Sequence, residues 1–200
     1  MKTGADAVLR FWFGEHPDQV LAVQAQSARW FGKDAAFDDE IRARFGALRE
    51  AAIAGTLDEW LVSPRERLAL IVLVDQFSRN LFRGDAEAFA HDALARRWCV
   101  DGLARGDDRQ LLPVERWFFY LPLEHTEALD DQRRSVALFT ALRDEADADW
   151  RPLFTGVLDF AEKHRVIIER FGRFPHRNAV LNRASTAGEL AFLQEPGSSF

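Results

Sequence analysis

The chain has one cysteine, one methionine and one tyrosine in 200 residues. A lone cysteine, Cys99, makes no internal disulfide, which excludes a disulfide-stapled scaffold. Valine and isoleucine together number 17, too few for a large parallel sheet. Lysine is scarce as well, with 3 against 23 arginines. No apolar run approaches the ~18 residues that cross a bilayer. The longest, Leu68 to Val74, has seven. The opening residues lack the basic-then-apolar pattern of a secretory signal, so no membrane association is expected and the cytoplasm is the expected compartment. The formal charge of −6 argues against nucleic acid as a partner.

What is present favours helices. Alanine and leucine, both strong helix formers, number 29 and 23. Turn signals recur at short intervals, and no segment alternates convincingly as a strand. The expectation is an all-α fold: one domain over residues 1–200, with nine or ten helices packed as antiparallel hairpins. Glycines follow the first two helices in a repeated pattern, Trp12-Phe13-Gly14 and Trp30-Phe31-Gly32, with left-handed caps expected at both. The second of these helices is expected to begin at Pro17. Thr56 and Ser63 each precede a glutamate by three residues and read as capping boxes. Pro64 to about Phe82 reads as one helix. Its middle, Leu68 to Val74, is apolar on every side, so it belongs at the centre of the core. Asp85 to Arg105 reads as the next helix, Pro113 to Tyr120 as a short one stopped by Pro122, and Pro175 to Arg183 as another short one.

Polar residues interrupt this pattern in three places. Asp75, Gln76, Arg79, Asn80 and Arg83 follow directly on the buried run. Asp75 and Arg79 lie four apart and share a helix face. A charge buried there needs a partner, and Arg79 is the simplest one. The second place is the segment Leu121 to Glu127, expected to be a loop entering a helix. Its Glu124 and His125 are candidate acid and base groups. They are also weak candidate metal ligands with His164, although no paired-histidine or cysteine motif supports a metal. The third place holds Arg173, His176, Arg177, Asn178 and Arg183 around a proline-led helix start. From His164 to Arg183 there are five arginines and one acid, Glu169. Converging arginines at a helix start can hold an anion, or can lock neighbouring helix ends.

These blocks carry a resemblance. Asp75-Gln76-Phe77-Ser78-Arg79-Asn80, then Leu121-Pro122-Leu123-Glu124-His125, then Arg173-Phe174-Pro175-His176-Arg177-Asn178 are similar to the signature blocks of the bacterial domain-of-unknown-function family numbered 924. Phe11-Trp12-Phe13-Gly14 and Arg183-Ala184-Ser185-Thr186 match it as well. The resemblance implies an all-helical fold in the tetratricopeptide-like superfamily, and it implies no reaction and no cofactor. One departure is Asn182, where the family usually has glycine. Asparagine tolerates left-handed backbone best among the alternatives.

Three functional readings follow. The three blocks line a cleft that binds a small anionic metabolite, with Asp75, Gln76, Arg79, Asn80, Arg83, Glu124, His125, Arg173, His176, Arg177, Asn178 and Arg183 as its residues. A Glu124–His125 pair acting as acid and base would make such a site a hydrolase or transferase. Alternatively, stacked hairpins form a scaffold for a peptide, anchored by exposed tryptophans. In the third reading the polar blocks are structural locks on helix ends.

Overall fold

The computed structural model describes residues 4–15 and 19–199. Among these residues the chain is helical and contains no strand. The expected helix start at Pro17 lies outside the described residues.

Ten α-helices follow one another. They are α1 (Gly4–Phe13), α2 (Gln19–Phe31), α3 (Ala35–Ile53), α4 (Pro64–Ile71) and α5 (Phe77–Leu81), then α6 (Asp92–Arg105), α7 (Pro113–Glu124), α8 (Leu129–Glu145), α9 (Arg151–Phe171) and α10 (Ala187–Phe192). Successive helices joined by short links pack on each other, α7 on α8 and α8 on α9 most extensively. The run Leu68 to Val74 is at most 1% exposed, as its all-round apolar character requires. Around it α1 and α2 contribute aromatic rings. Trp12 meets Phe118 edge-on at 5.5 Å, and Trp30 meets the same ring at 4.7 Å. The Trp30 indole donates to the Trp12 carbonyl at 2.8 Å, so the two Trp-Phe-Gly segments hold each other. A smaller cluster of Ile167, Ile168, Phe174 and Phe192 fastens the C-terminal segment to α9.

Several expected boundaries differ, each for a local reason. The helix from Pro64 is not uniform. Residues Val72–Gln76 form a π-turn between α4 and α5, where the Phe77 amide reaches back five residues to the Val72 carbonyl. Helix α7 runs through Pro122 to Glu124 instead of stopping before it, and the His125 amide still reaches the Leu121 carbonyl at 2.9 Å. Burial of Leu121 and Leu123 outweighs the lost proline hydrogen bond. The stretch from Asp85 is not yet α-helical: its carboxylate caps the Glu87 amide at 2.8 Å and turns the chain, so the helix starts only at Asp92. Pro175–Arg177 is a single 3₁₀ turn.

Neither expected capping box at Thr56 or Ser63 forms. The Thr56 hydroxyl donates to the Ala51 carbonyl at the end of α3, and Ser63 makes no side-chain cap bond. Thr186 does cap α10, with Glu189 closing the box. Gly14 is left-handed at φ 80°, but Gly32 is not. Its constraint is steric: a Cβ there would sit 2.2 Å from the Ala28 carbonyl oxygen. Asn182 is left-handed at φ 52°, a conformation that asparagine tolerates better than most side chains.

The closest approach inside the core is at Gly102 of α6. A Cβ there would lie 2.6 Å from the Phe119 ring and 2.7 Å from Arg67 Cδ. Arg67 is itself buried and donates to Asp107 at 2.8 Å. We expect Gly102→Ala to lower stability by about 1–3 kcal/mol through overpacking. Urea unfolding reads this directly, and an unchanged midpoint would contradict it.

Candidate functional site

The π-turn carries Asp75 into the core, where its side chain is fully buried. Three side chains satisfy it and its backbone. The Gln76 amide donates to Oδ2 at 2.6 Å, His125 Nδ1 lies 2.8 Å from Oδ1, and Arg79 Nη1 lies 3.1 Å from the same oxygen. Arg79 Nη1 also donates to the Asp75 carbonyl at 2.7 Å. Burial pushes the Asp75 carboxyl up, but Arg79 and His125 outweigh it and hold the pKa at about 2. An ionised Asp75 requires the proton of His125 on Nδ1, which leaves Nε2 as a lone-pair acceptor. Burial and Arg79 lower the His125 pKa despite Asp75, so the imidazole is neutral at pH 7.

The contacts continue into a closed ring. Arg79 forks onto both oxygens of Asp92 at 3.0 Å each. Asp92 lies 3.5 Å from Arg177 Nη1, and the same nitrogen donates to the His125 carbonyl at 3.0 Å. Arg177 is packed between the rings of Phe174 and Phe89, at 4.4 and 4.6 Å. Burial and the Arg79 charge push its pKa down to about 10. Among the described residues only Nη1 of its three nitrogens finds an acceptor, and Nε is buried without one. Beside this ring lies an open groove of about 260 Å³. Its polar wall is Asp92, His125, Glu127 and Arg177, and its apolar wall is Ala86, Phe89, Ala90 and Leu181.

The other sequence-marked residues are placed apart from the ring. Asn80 and Arg83 turn to α3, where Asp38 accepts from Asn80 at 2.8 Å and from Arg83 at 2.7 Å. Arg173 forks onto Glu189 at 2.6 and 2.8 Å, and Asn178 donates to Ser185 at 3.0 Å. Arg183 forks onto Glu127, which also accepts the Phe174 amide at 2.8 Å. His176 packs against Phe174, and burial followed by Arg177 lowers its pKa to about 4. Glu124 and His125 diverge. His125 faces Asp75 and the groove, whereas Glu124 is buried 3.2 Å from His164. His164 donates from the same Nδ1 to the Phe160 carbonyl at 2.8 Å, and burial lowers its pKa to about 3. Among the described residues no group of three or more His, Cys, Asp and Glu is placed to hold a metal ion, and no helix is long and apolar enough to cross a membrane.

Asp92 and Phe89 were not marked by the sequence. They fall in the stretch that reads as one continuous helix, and no spacing rule links them to Arg79 or Arg177. Arg49 was also missed. It is 1% exposed and joins Ser78 to Glu87, at 2.8 and 2.7 Å.

The fold and site define an all-helical protein with a buried ionic ring beside a small groove. The chain belongs to a family described as "Bacterial protein of unknown function (DUF924)", whose family model matches residues 8–197. A solved structure, the protein of unknown function ATU0120 from Agrobacterium tumefaciens, is similar over the whole fold. It is 39% identical, with 95% of this chain and 96% of that chain covered and a TM-score of 0.80. No curated protein matches the chain.

Two outcomes follow from this geometry. Arg79→Ala strands the carboxylates of Asp75 and Asp92, and the expected loss is about 3–5 kcal/mol. Urea unfolding measures it, and a loss below about 1 kcal/mol would contradict the ring's structural weight. The second concerns Glu124. Burial, then the Asp75 charge, pushes its pKa from 4.5 up to about 8. The folded chain therefore keeps a proton between those values that the unfolded chain has lost, and stability falls as pH rises through that window. Glu124→Gln keeps the neutral shape and removes the titration. Its stability relative to wild type should climb with pH between 4.5 and 8, by up to about 1.4 kcal/mol per pH unit. A difference that stays constant across the window would refute the protonated state.

Proposed function

We propose that the groove beside the ring binds a small ligand through an anionic group, with Arg177 as the contact. The observation that carries this reading is the state of Arg177. It is a cation only 6% exposed, pressed between two phenyl rings near a second arginine, with one nitrogen bonded. Arg83, Arg173 and Arg183, by contrast, each fork onto a carboxylate and serve as ties between segments. A buried guanidinium with spare donors gains a strong charge-assisted bond from a carboxylate or phosphate. His125 supports the reading, because it lines the groove and Asp75 fixes its tautomer, leaving Nε2 as a lone-pair acceptor.

The scaffold reading loses its anchors. Trp12, Trp30, Trp60, Trp98 and Trp117 are all buried, and Trp150 is half-buried. Buried tryptophans contribute to the core and offer little to a docking peptide. The acid–base reading loses its pair, since Glu124 faces away from His125 into the α7–α9 interface.

The test is isothermal titration of the wild-type chain with a panel of small aliphatic carboxylates and inorganic phosphate. Arg177→Gln keeps a packed, polar side chain and removes the charge. At least one panel member should bind the wild type, and the variant should bind it about 10–100-fold more weakly. Equal binding by both proteins would remove Arg177 from the site.

A further inference from the structure

The groove's charges are mixed, and this narrows the ligand that rests on the anion-binding reading. Arg177 lines it as a cation, but Asp92 and Glu127 line it as carboxylates. Arg79, just behind, is matched by Asp75 and Asp92, and Arg183 is matched by Glu127. A simple anion drawn to Arg177 would sit beside two negative side chains. Like charges at that range oppose binding, so the wall calls for a compensating positive group on the ligand.

The acceptors for such a group are in place. His125 Nε2 is a lone-pair acceptor because its other nitrogen holds the proton on Asp75. Each Glu127 oxygen is engaged by Arg183, yet a carboxylate offers about four acceptor sites in all and three are in use. His125 and Glu127 line the same small groove as Arg177, and Arg177 Nη1 is itself held 3.0 Å from the His125 carbonyl and 3.5 Å from Asp92. A guanidinium and carboxylates lining one small groove match a ligand that carries an anionic and a cationic group on the same carbon. The remaining wall of Phe89, Leu181 and two alanines is apolar.

We infer that the ligand is a free α-amino acid with an aliphatic side chain. Its carboxylate meets Arg177, its ammonium meets Glu127 and His125 Nε2, and its side chain lies against Phe89 and Leu181. A peptide terminus carries only one of the two charges and fits less well.

The experiment titrates the full wild-type chain at pH 7 with three probes on one carbon skeleton. L-leucine carries both charges, 4-methylpentanoate lacks the ammonium, and isoamylamine lacks the carboxylate. Leucine should bind, and each truncated probe should bind at least about 10-fold more weakly, the effect of losing one charged hydrogen-bonding group. If 4-methylpentanoate binds as tightly as leucine, the zwitterion is refuted while anion binding at Arg177 stands. If isoamylamine matches leucine, both readings fall; if neither carboxylate probe binds, the amino-acid inference falls, and anion binding at Arg177 falls with it only if inorganic phosphate fails to bind as well. Glu127→Gln adds a signature that a structural role would not give. Leucine should weaken in that variant, whereas 4-methylpentanoate should tighten because a like charge is gone. Parallel changes for the two probes would overturn the inference.

Discussion

Asp75 is an ionised carboxylate with no exposure to solvent, and most of the polar structure follows from that one fact. Burying such a charge costs several kcal/mol unless it is matched and hydrogen-bonded on every side. The matching begins locally, with Gln76 next to it and Arg79 four residues on. It then spreads, because Arg79 brings a second positive centre that Asp92 satisfies. His125 completes the first carboxylate, and Arg177 spans the gap between Asp92 and the His125 carbonyl. Each partner is itself half-satisfied until the next arrives, so the network grows until it closes.

The π-turn makes this possible. Such turns insert one extra residue into a helix and often lie at functional sites. Here the insertion falls at Val72–Gln76, between a helix whose last turn, Leu68–Ile71, is wholly apolar and one tied to α3 through Asn80. The apolar part seats the segment in the core. The wide turn then carries the carboxylate inward without breaking the chain's direction.

Much of the helical fold was legible in the sequence, because its signals are local. The seven-residue apolar run marked the buried helix, and the glycine after α1 marked its cap. The Asp75–Arg79 pair was legible too, since four-residue spacing is a property of the helix itself. What escaped has a common physical cause. The π-turn depends on packing around Asp75 and leaves no residue signature. Pro122 reads as a stop, yet burial of its neighbours kept α7 intact. Asp92 and Phe89 meet Arg177 from 85 and 88 positions away by their numbers, and no periodicity encodes such a meeting. For the same reason the sequence could not sort its arginines into those tied by carboxylates and the buried Arg177 with its spare donors.

The ring joins four separate stretches of chain: the π-turn with α5, the start of α6, the end of α7, and the segment after α9. None can detach without breaking its contacts to two of the others. Opening any one of them therefore takes away a partner of Asp75 or Asp92, a cost that a surface loop does not face. Backbone amides around the groove, although near the surface, should then exchange with solvent on the slow timescale of the core rather than that of a surface loop. Rigidity of that kind spares a ligand the cost of ordering its own site, so the groove is preorganised by the same charges that hold the helices together.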